Sequence, residues 1–540
     1  MPLSPSAHVD SFCRDRLPPE HLWPELIFEL PELEYPDRLN AATVLLDGAV
    51  ARWGADRRCV LSPKQSWTYG ELLANANRVA HVLRDRGIVP GNRVLLRGPN
   101  NPWLVACWFG VLKAGAVAVA TMPLLRAHEL SAIAELARPA LALCDHRYLE
   151  ALAPVDVPVL PYGADDPGDL TTFAAAAPTE FDDVVTAADD VALLAFTSGT
   201  TGRPKATMHF HRDLLAIADT FSRHVVRPVP DDLFAGSPPL AFTFGLGGLV
   251  VFPIHAGAAT FLVEKATPVE LIRIAAEHGV TVLMTAPTAY RAILASEDRA
   301  LLCTLRRAVS AGEALPASVA EAFGDLTGRR IIDGIGGTEL LHVFISAADG
   351  EARPGATGKV VPGFRAAVLD ARGNPVPDGT PGLLAVKGPT GCRYLDDDRQ
   401  TSYVRHGWNM TGDTYVRDAE GYFHYQARSD DMIVSAGYNI AGPEVEEVLL
   451  RHGDVAECAV VAAPDAARGS VVAAYVVLRP GVVPCPARAR ELQEFVKANA
   501  APYKYPRRVE FVDELPRNNS GKLQRYLLRQ RAAQRHLEAS

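Results

Sequence analysis

The segment Thr197-Ser-Gly-Thr-Thr-Gly-Arg-Pro-Lys205 sets four hydroxyls within five residues, two glycines and a lysine directly after the apolar run Ala192–Phe196. Glycine lets the backbone come close to a ligand, and clustered hydroxyl and amide donors suit anionic oxygens. In composition this is a phosphate cradle, with Lys205 adding positive charge. It is not a P-loop, whose lysine directly follows the second glycine; here Arg203 and Pro204 intervene. Taken alone, the segment also admits a flexible surface turn.

Four more segments follow in order: Gly334-Ile-Gly-Gly-Thr-Glu339, Trp408-Asn-Met-Thr-Gly-Asp413, Arg428-Ser-Asp430-Asp-Met-Ile and Asn519-Ser-Gly-Lys522. With the first, they resemble the motifs of the adenylate-forming superfamily, which holds acyl-CoA synthetases, luciferases and the adenylation domains of peptide synthetases. The resemblance spans nearly the whole chain. It implies that Thr197, Ser198, Gly199, Thr200, Thr201, Gly202 and Lys205 cradle ATP phosphates. It implies that Thr338 and Glu339 serve the α-phosphate, with Glu339 as the Mg²⁺ ligand, and that Asp413 and Arg428 hold the ribose. Asp430 is then the hinge pivot and Lys522 the adenylation lysine. Gly334 and Ile335 join the nucleotide site, with Asp333 and Glu313 (of Ser310-Ala-Gly-Glu-Ala-Leu315) as the adenine wall. Two departures stand out: Asn409-Met410 precede Thr-Gly-Asp, and Ile335 occupies the place of a tyrosine that commonly stacks on adenine.

These residue types suit the implied chemistry. A carboxylate is a poor electrophile, so joining it to a thiol requires activation, here as an acyl-adenylate with release of pyrophosphate. Charge spreads over phosphoryl oxygens in that transition state, so cations and hydrogen-bond donors dominate catalysis. Mg²⁺ favours one or two carboxylates together with phosphates and water, which Glu339 can satisfy.

More narrowly the chain resembles the benzoate-CoA and 2-aminobenzoate-CoA ligase branch, through Pro238–Gly247, Leu340–Phe344 and Ala501–Arg507. The resemblance implies a pocket with Phe242, Thr243, Phe244 and Gly245 on one wall and Ala311, Gly336 and Gly337 opposite. Glycines in place of side chains leave a flat slot suited to an aromatic ring. His342 would lie at the ring edge or carboxylate, and reads equally as a packed core histidine on an apolar helix face. The expected substrate is a small aromatic acid, 2-aminobenzoate or benzoate first, and the expected acceptor is coenzyme A. Ser435, Gly437 and Tyr438 resemble the loop beside the pantetheine tunnel. Lys504, Arg507, Arg508, Arg517, Lys522, Arg525, Arg529, Arg531 and Arg535 form a local excess of cations that either attracts the CoA phosphates or is a solvated helix face. Lys522 must leave for the second step, which implies rotation of a small C-terminal domain about Asp430.

The elements that position these groups follow from patterning. From Thr68 to about Leu383, short apolar runs (Arg93–Arg97, Ala140–Cys144, Ala192–Phe196, Val282–Thr285) alternate with amphipathic stretches such as Tyr69–Arg86 and Pro268–His278. Such alternation predicts a large α/β domain of mostly parallel sheets. After Gly355 come short strands with Gly/Pro turns, and then a small mobile α+β domain. The predicted division is 1–429 and 430–540.

The 540 residues are 48% hydrophobic and 22% charged, with net charge −9. That composition excludes disorder, and it provides no bulk basic surface for nucleic acid. Eight scattered cysteines without a CxxC pair fit reduced thiols in a cytoplasm. The Leu104–Leu125 stretch, broken by Lys113, glycines and Pro123, predicts a buried helix, a turn and a buried strand, with no membrane span. A homodimer is left open. Two rival readings remain: an aryl-AMP ligase that loads a carrier protein, and a catalytically dead nucleotide-binding regulator. Intact Lys205, Glu339, Asp413 and Lys522 oppose the second. The lack of a fused carrier domain after Ser540 only weakly disfavours the first.

Overall fold

The computed structural model describes residues 3–164, 166–198, 204–428, 431–435, 438–465, 469–500, 504–518 and 521–539. Two large sheets form the body. The first has six strands in the order Val159–Tyr162, Leu141–Asp145, Arg93–Arg97, Val117–Thr121, Val191–Ser198 and Pro204–Phe210. All its pairs are parallel except the last, where Pro204–Phe210 folds back antiparallel on Val191–Ser198 and sets Lys205 opposite Thr197. The second sheet has nine strands. Its centre, from Ile331–Gly336 through Arg307–Ala311, Val282–Thr285, Leu233–Gly236 and Ala259–Phe261 to Arg58–Leu61, is parallel. Both sheets are near-continuous apolar runs because helices cover their faces.

Local signals account for the helices. Tyr69–Asp85 starts at a Thr68/Glu71 capping box. Pro268–His278 has a Thr267/Glu270 box, Pro at its start and Gly279 in the left-handed region (φ 72°) at its end. The Leu104–Leu125 stretch is the predicted pair, a helix over Pro102–Lys113 and a strand over Val117–Thr121. Lys113 is fully buried, with its ammonium 2.6 Å from Asp47 and 3.0 Å from Asp183. Lys113→Met therefore strands two carboxylates against an apolar wall. Breaking such a pair costs about 3 kcal/mol, which a lowered urea midpoint will report.

A smaller antiparallel sheet follows, in which Trp408–Arg417 pairs with both Gly382–Lys387 and Phe423–Arg428. The C-terminal unit has a short hairpin (Ile433–Ser435, Tyr438–Ile440) and a three-stranded sheet of Val455–Asp465, Gly469–Leu478 and Arg508–Phe511. Helices Gly442–Leu450, Pro486–Asn499 and Arg525–Ala539 complete it. The fold is thus a large mixed α/β domain and a small C-terminal one, as the sequence predicts. No helix among the described residues is long and apolar enough to cross a membrane. The eight cysteines are free, and only Cys303 and Cys485 are exposed.

Candidate active site

Lys205 and Glu339 lie 134 residues apart and meet at 2.7 Å. Lys205 comes from the second residue of its strand. Glu339 comes from a single 3-10 turn, Thr338–Leu340, set after the strand Ile331–Gly336. Tyr394 closes the group: its hydroxyl donates to Glu339 Oε1 at 2.6 Å and accepts from the Lys205 ammonium. Burial alone would raise the Glu339 pKa. The Lys205 charge and the hydrogen bonds from Lys205 and Tyr394 outweigh it and hold the carboxyl below its ordinary value. Burial, with the Glu339 charge beside it, raises the Tyr394 phenol far out of the working range, so it remains a donor. Glu339 is thus an ionised, buried carboxylate.

Asp413 and Arg428 stand opposite each other on paired strands, with Arg428 Nη1 3.1 Å from Asp413 Oδ1. Gly412 between them is forced. Its φ is 77°, and a Cβ there would stand 2.9 Å from the Arg428 guanidinium. Burial raises the Asp413 pKa, opposed by the Arg428 charge. Asp333 is buried on the strand beside Ser310, and burial pushes its carboxyl up to about 7. Ile335 is partly buried against the main core.

Lys522 joins these groups from the C-terminal unit. Lys522 is exposed, yet the protein around it lowers its pKa, with Arg428 acting in the same direction and the charges of Glu313, Asp413 and Glu339 opposing. Glu313 also meets Arg517 of the C-terminal unit at 3.8 Å. The backbone of Lys522 is closed on Asn518 by bonds of 2.9 Å in each direction, one to the Asn518 side chain.

The second cluster is apolar. His342 is buried in a cage of Phe221, Phe244 and Phe252, with ring centroids 5.4, 5.6 and 4.6 Å away. It does not lie on a helix. Leu341 turns the chain with φ 68° and sets His342 directly before the strand Val343–Ser346, a conformation that costs a non-glycine residue on the order of 1 kcal/mol or more. Burial lowers the imidazole pKa to about 3, so the ring is neutral at any working pH. Among the described residues neither ring nitrogen has a hydrogen-bond partner.

Glycines around it are set by close approach. A Cβ on Gly247 would lie 2.4 Å from His342 Cδ2, on Gly336 2.6 Å from the His342 carbonyl oxygen, and on Gly245 2.1 Å from the Pro239 carbonyl oxygen. Gly337 alone of the predicted slot glycines is open, its nearest neighbour being Glu339 Oε2 at 3.5 Å. Phe242 caps the short helix Thr243–Leu246, and Ala311 ends its strand in register with Gly334. Gly247→Ala is expected to jam the caged His342 and raise KM for the acid ~10-fold, the scale of overpacking a tight site, with KM for ATP unchanged. Steady-state kinetics in each substrate will decide.

Gly199, Thr200, Thr201, Gly202, Asp430 and Gly437 lie outside the described residues. Ser198 ends its strand at the mouth of that loop, and Ser435 and Tyr438 face each other across the hairpin.

The cation excess is largely internal. Arg525 binds Glu446, Arg529 binds Asp431, Arg531 and Arg535 bind Glu510, and Lys504 binds Glu444. Tyr394 was not predicted from sequence. The cue was an arginine and a tyrosine set together in Gly391-Cys-Arg-Tyr-Leu395.

Residues 46–393 match the AMP-binding enzyme family and residues 444–522 its C-terminal domain. The chain belongs to the adenylate-forming enzymes. Its curated relatives include the benzoate–CoA ligase of Thauera aromatica, 33% identical over 92% of this chain and 97% of that one. Among solved structures, the anthranilate CoA ligase AuaEII in complex with anthranoyl-AMP superposes with a TM-score of 0.88 at 31% identity, covering 94% of this chain and all of the other. The benzoate CoA ligase from Burkholderia xenovorans LB400 gives 0.84 at 32%, over 91% of this chain and 100% of that one. This adenylate-forming enzyme is a ligase of the acid–thiol class.

Proposed function

We propose that this enzyme is an ATP-dependent aryl-CoA ligase acting on a small aromatic acid, 2-aminobenzoate or benzoate first. What supports the chemistry most is that Lys522 of the C-terminal unit lies within electrostatic reach of Glu313, Asp413 and Glu339, beside the Arg517–Glu313 pair that joins the two domains at 3.8 Å. The neutral cage of Phe244 and His342 supports the aromatic substrate: it offers a flat apolar wall, a polar ring edge and no counter-ion for an ammonium group.

In this reading Asp413 and Arg428 hold the ribose. Asp333 and Glu313 form the adenine wall, Glu313 on the side that meets Arg517 of the C-terminal unit. Thr197, Ser198, Gly199, Thr200, Thr201, Gly202 and Lys205 receive the phosphates. Lys522 bridges the acid's carboxylate and the α-phosphate. A carboxylate oxygen attacks the α-phosphorus, the bond to the β-phosphate oxygen breaks, and pyrophosphate leaves. Glu339 and Thr338 fit Mg²⁺ by donor chemistry, since Glu339 is ionised and its second oxygen faces the open Gly337. When bound, the ion supplies neutralisation of phosphate charge.

We place the domain boundary at residues 429/430. Rotation about Asp430 then withdraws Lys522 and brings Ser435, Gly437 and Tyr438 to the site. The CoA thiolate attacks the acyl carbon and AMP leaves.

A pyrophosphate-release assay over 2-aminobenzoate, benzoate, salicylate, a cinnamate and a medium-chain fatty acid, with and without CoA, tests this. CoA-dependent turnover of an aryl acid is expected. A single release that CoA does not restore would move the acceptor to a carrier protein. No release with any aryl acid would overturn the substrate reading.

A further inference from the structure

Beneath the Thr338–Glu339 turn lies a buried polar chain that the reaction scheme leaves unused. Arg393 is fully buried, its guanidinium 4.0 Å from the Phe210 ring centroid and 5.3 Å from that of Trp23. Arg393 Nη1 donates to Asp213 Oδ2 at 3.0 Å, and the same oxygen accepts from the Phe210 backbone N–H at 3.1 Å. That carboxylate lies 3.7 Å from His209 Nδ1, and His209 Nε2 donates to the Thr338 carbonyl at 2.8 Å. His209, Asp213 and Arg393 are all fully buried.

The residue after Arg393 is Tyr394, whose hydroxyl binds the Glu339 carboxylate. Gln400 fixes this segment: its carbonyl accepts from the Tyr394 N–H at 2.9 Å, and its amide donates to the Cys392 and Leu22 carbonyls at 3.1 and 2.8 Å. The turn that carries Glu339 is therefore held at two points, its backbone at Thr338 and its carboxylate at Glu339, and both lead back to Arg393–Tyr394. Leu22 and Trp23 come from an N-terminal arm outside the matched residues 46–393.

We propose that Arg393 is a positioning residue for Glu339, acting through Asp213 and His209 on the Thr338 backbone and through Tyr394 on the carboxylate, with Trp23 of the N-terminal arm as its cover. This deepens the reading above and rests on the role given there to Glu339. Two hydrogen bonds on consecutive residues hold that turn: one is reached from the Arg393 guanidinium through Asp213 and His209, and the other is made by the next residue, Tyr394. A cation matters here because Asp213 is a fully buried carboxylate paired with Arg393 at 3.0 Å, and removing that partner strands the charge.

The test uses the full-length Arg393→Met, Trp23→Leu and Tyr394→Phe variants, with two readouts. The first separates the half-reactions: acyl-adenylate formation, and thioester formation from supplied acyl-adenylate. Arg393→Met is expected to slow the first ~10- to 10²-fold, the scale of misplacing a catalytic group, and to leave the second nearly intact. Trp23→Leu and Tyr394→Phe should show the same split at smaller size. The second readout is calorimetric ATP binding in Mg²⁺ and in chelator, where Arg393→Met and Tyr394→Phe should lose most of the gain that Mg²⁺ confers.

If Arg393→Met misfolds, the other two variants carry the test. Equal loss of both half-reactions, or an unchanged Mg²⁺ gain, would overturn the proposal and leave Arg393 as core structure. If the parent enzyme activates no aryl acid, the substrate reading fails, while the ATP-binding readout still tests the grip on Glu339.

Discussion

Lys522→Ala lowers acyl-adenylate formation at least ~10²-fold, the scale of losing one key electrostatic contact, and largely spares thioester formation from supplied acyl-adenylate. The substitution is clean because the loop does not depend on the ammonium. Asn518 and Lys522 close it through their own polar groups, and Arg517 pairs with Leu523 across it. What disappears is one positive charge facing Glu313, Asp413 and Glu339. ATP–pyrophosphate exchange reads the first step, and thiol consumption with synthetic acyl-adenylate reads the second. Equal loss in both would refute the alternation between two domain arrangements.

Glu339→Gln is expected to be as severe on the first step, again ~10²-fold or more, and to carry a stability penalty that Lys522→Ala lacks. Glutamine keeps the shape and loses the charge. The Lys205 ammonium, only 19% exposed at its side chain, is left without the carboxylate that balances it. Breaking one side of such a pair costs about 3 kcal/mol, visible as a lower unfolding midpoint. The double variant Glu339→Gln/Lys205→Met separates the two effects: it should recover most of the midpoint and none of the adenylation. Recovery of adenylation would show that Glu339 only balances Lys205.

Much of the body was readable because its cues are local. Val282–Thr285 and Pro268–His278 have the boundaries the patterning predicts, since an apolar run and a Thr-Pro start with a Gly stop need no distant partner. The fold-back of Pro204–Phe210 was not readable, because antiparallel pairing is decided by the turn and not by the strand. Of the two readings of His342, the one that set it on an apolar helix face fails because a single residue with positive φ, Leu341, breaks that register. The C-terminal arginines looked unpaired because Glu446, Glu510 and Asp431 lie many residues away in the chain. Tyr394 escaped for the same reason: its meaning comes from Glu339, 55 residues earlier.

The 2.4 Å that would separate a Gly247 Cβ from His342 makes these two positions a single design variable. A library that randomises position 247 alone samples collisions with the caged His342, and one that randomises 342 alone leaves Gly247 unable to follow the change. Altered acid selectivity in this scaffold is reached by paired exchange, a larger residue at 247 with a smaller one at 342. Natural sequences that share the fold should accordingly show the two sites changing together.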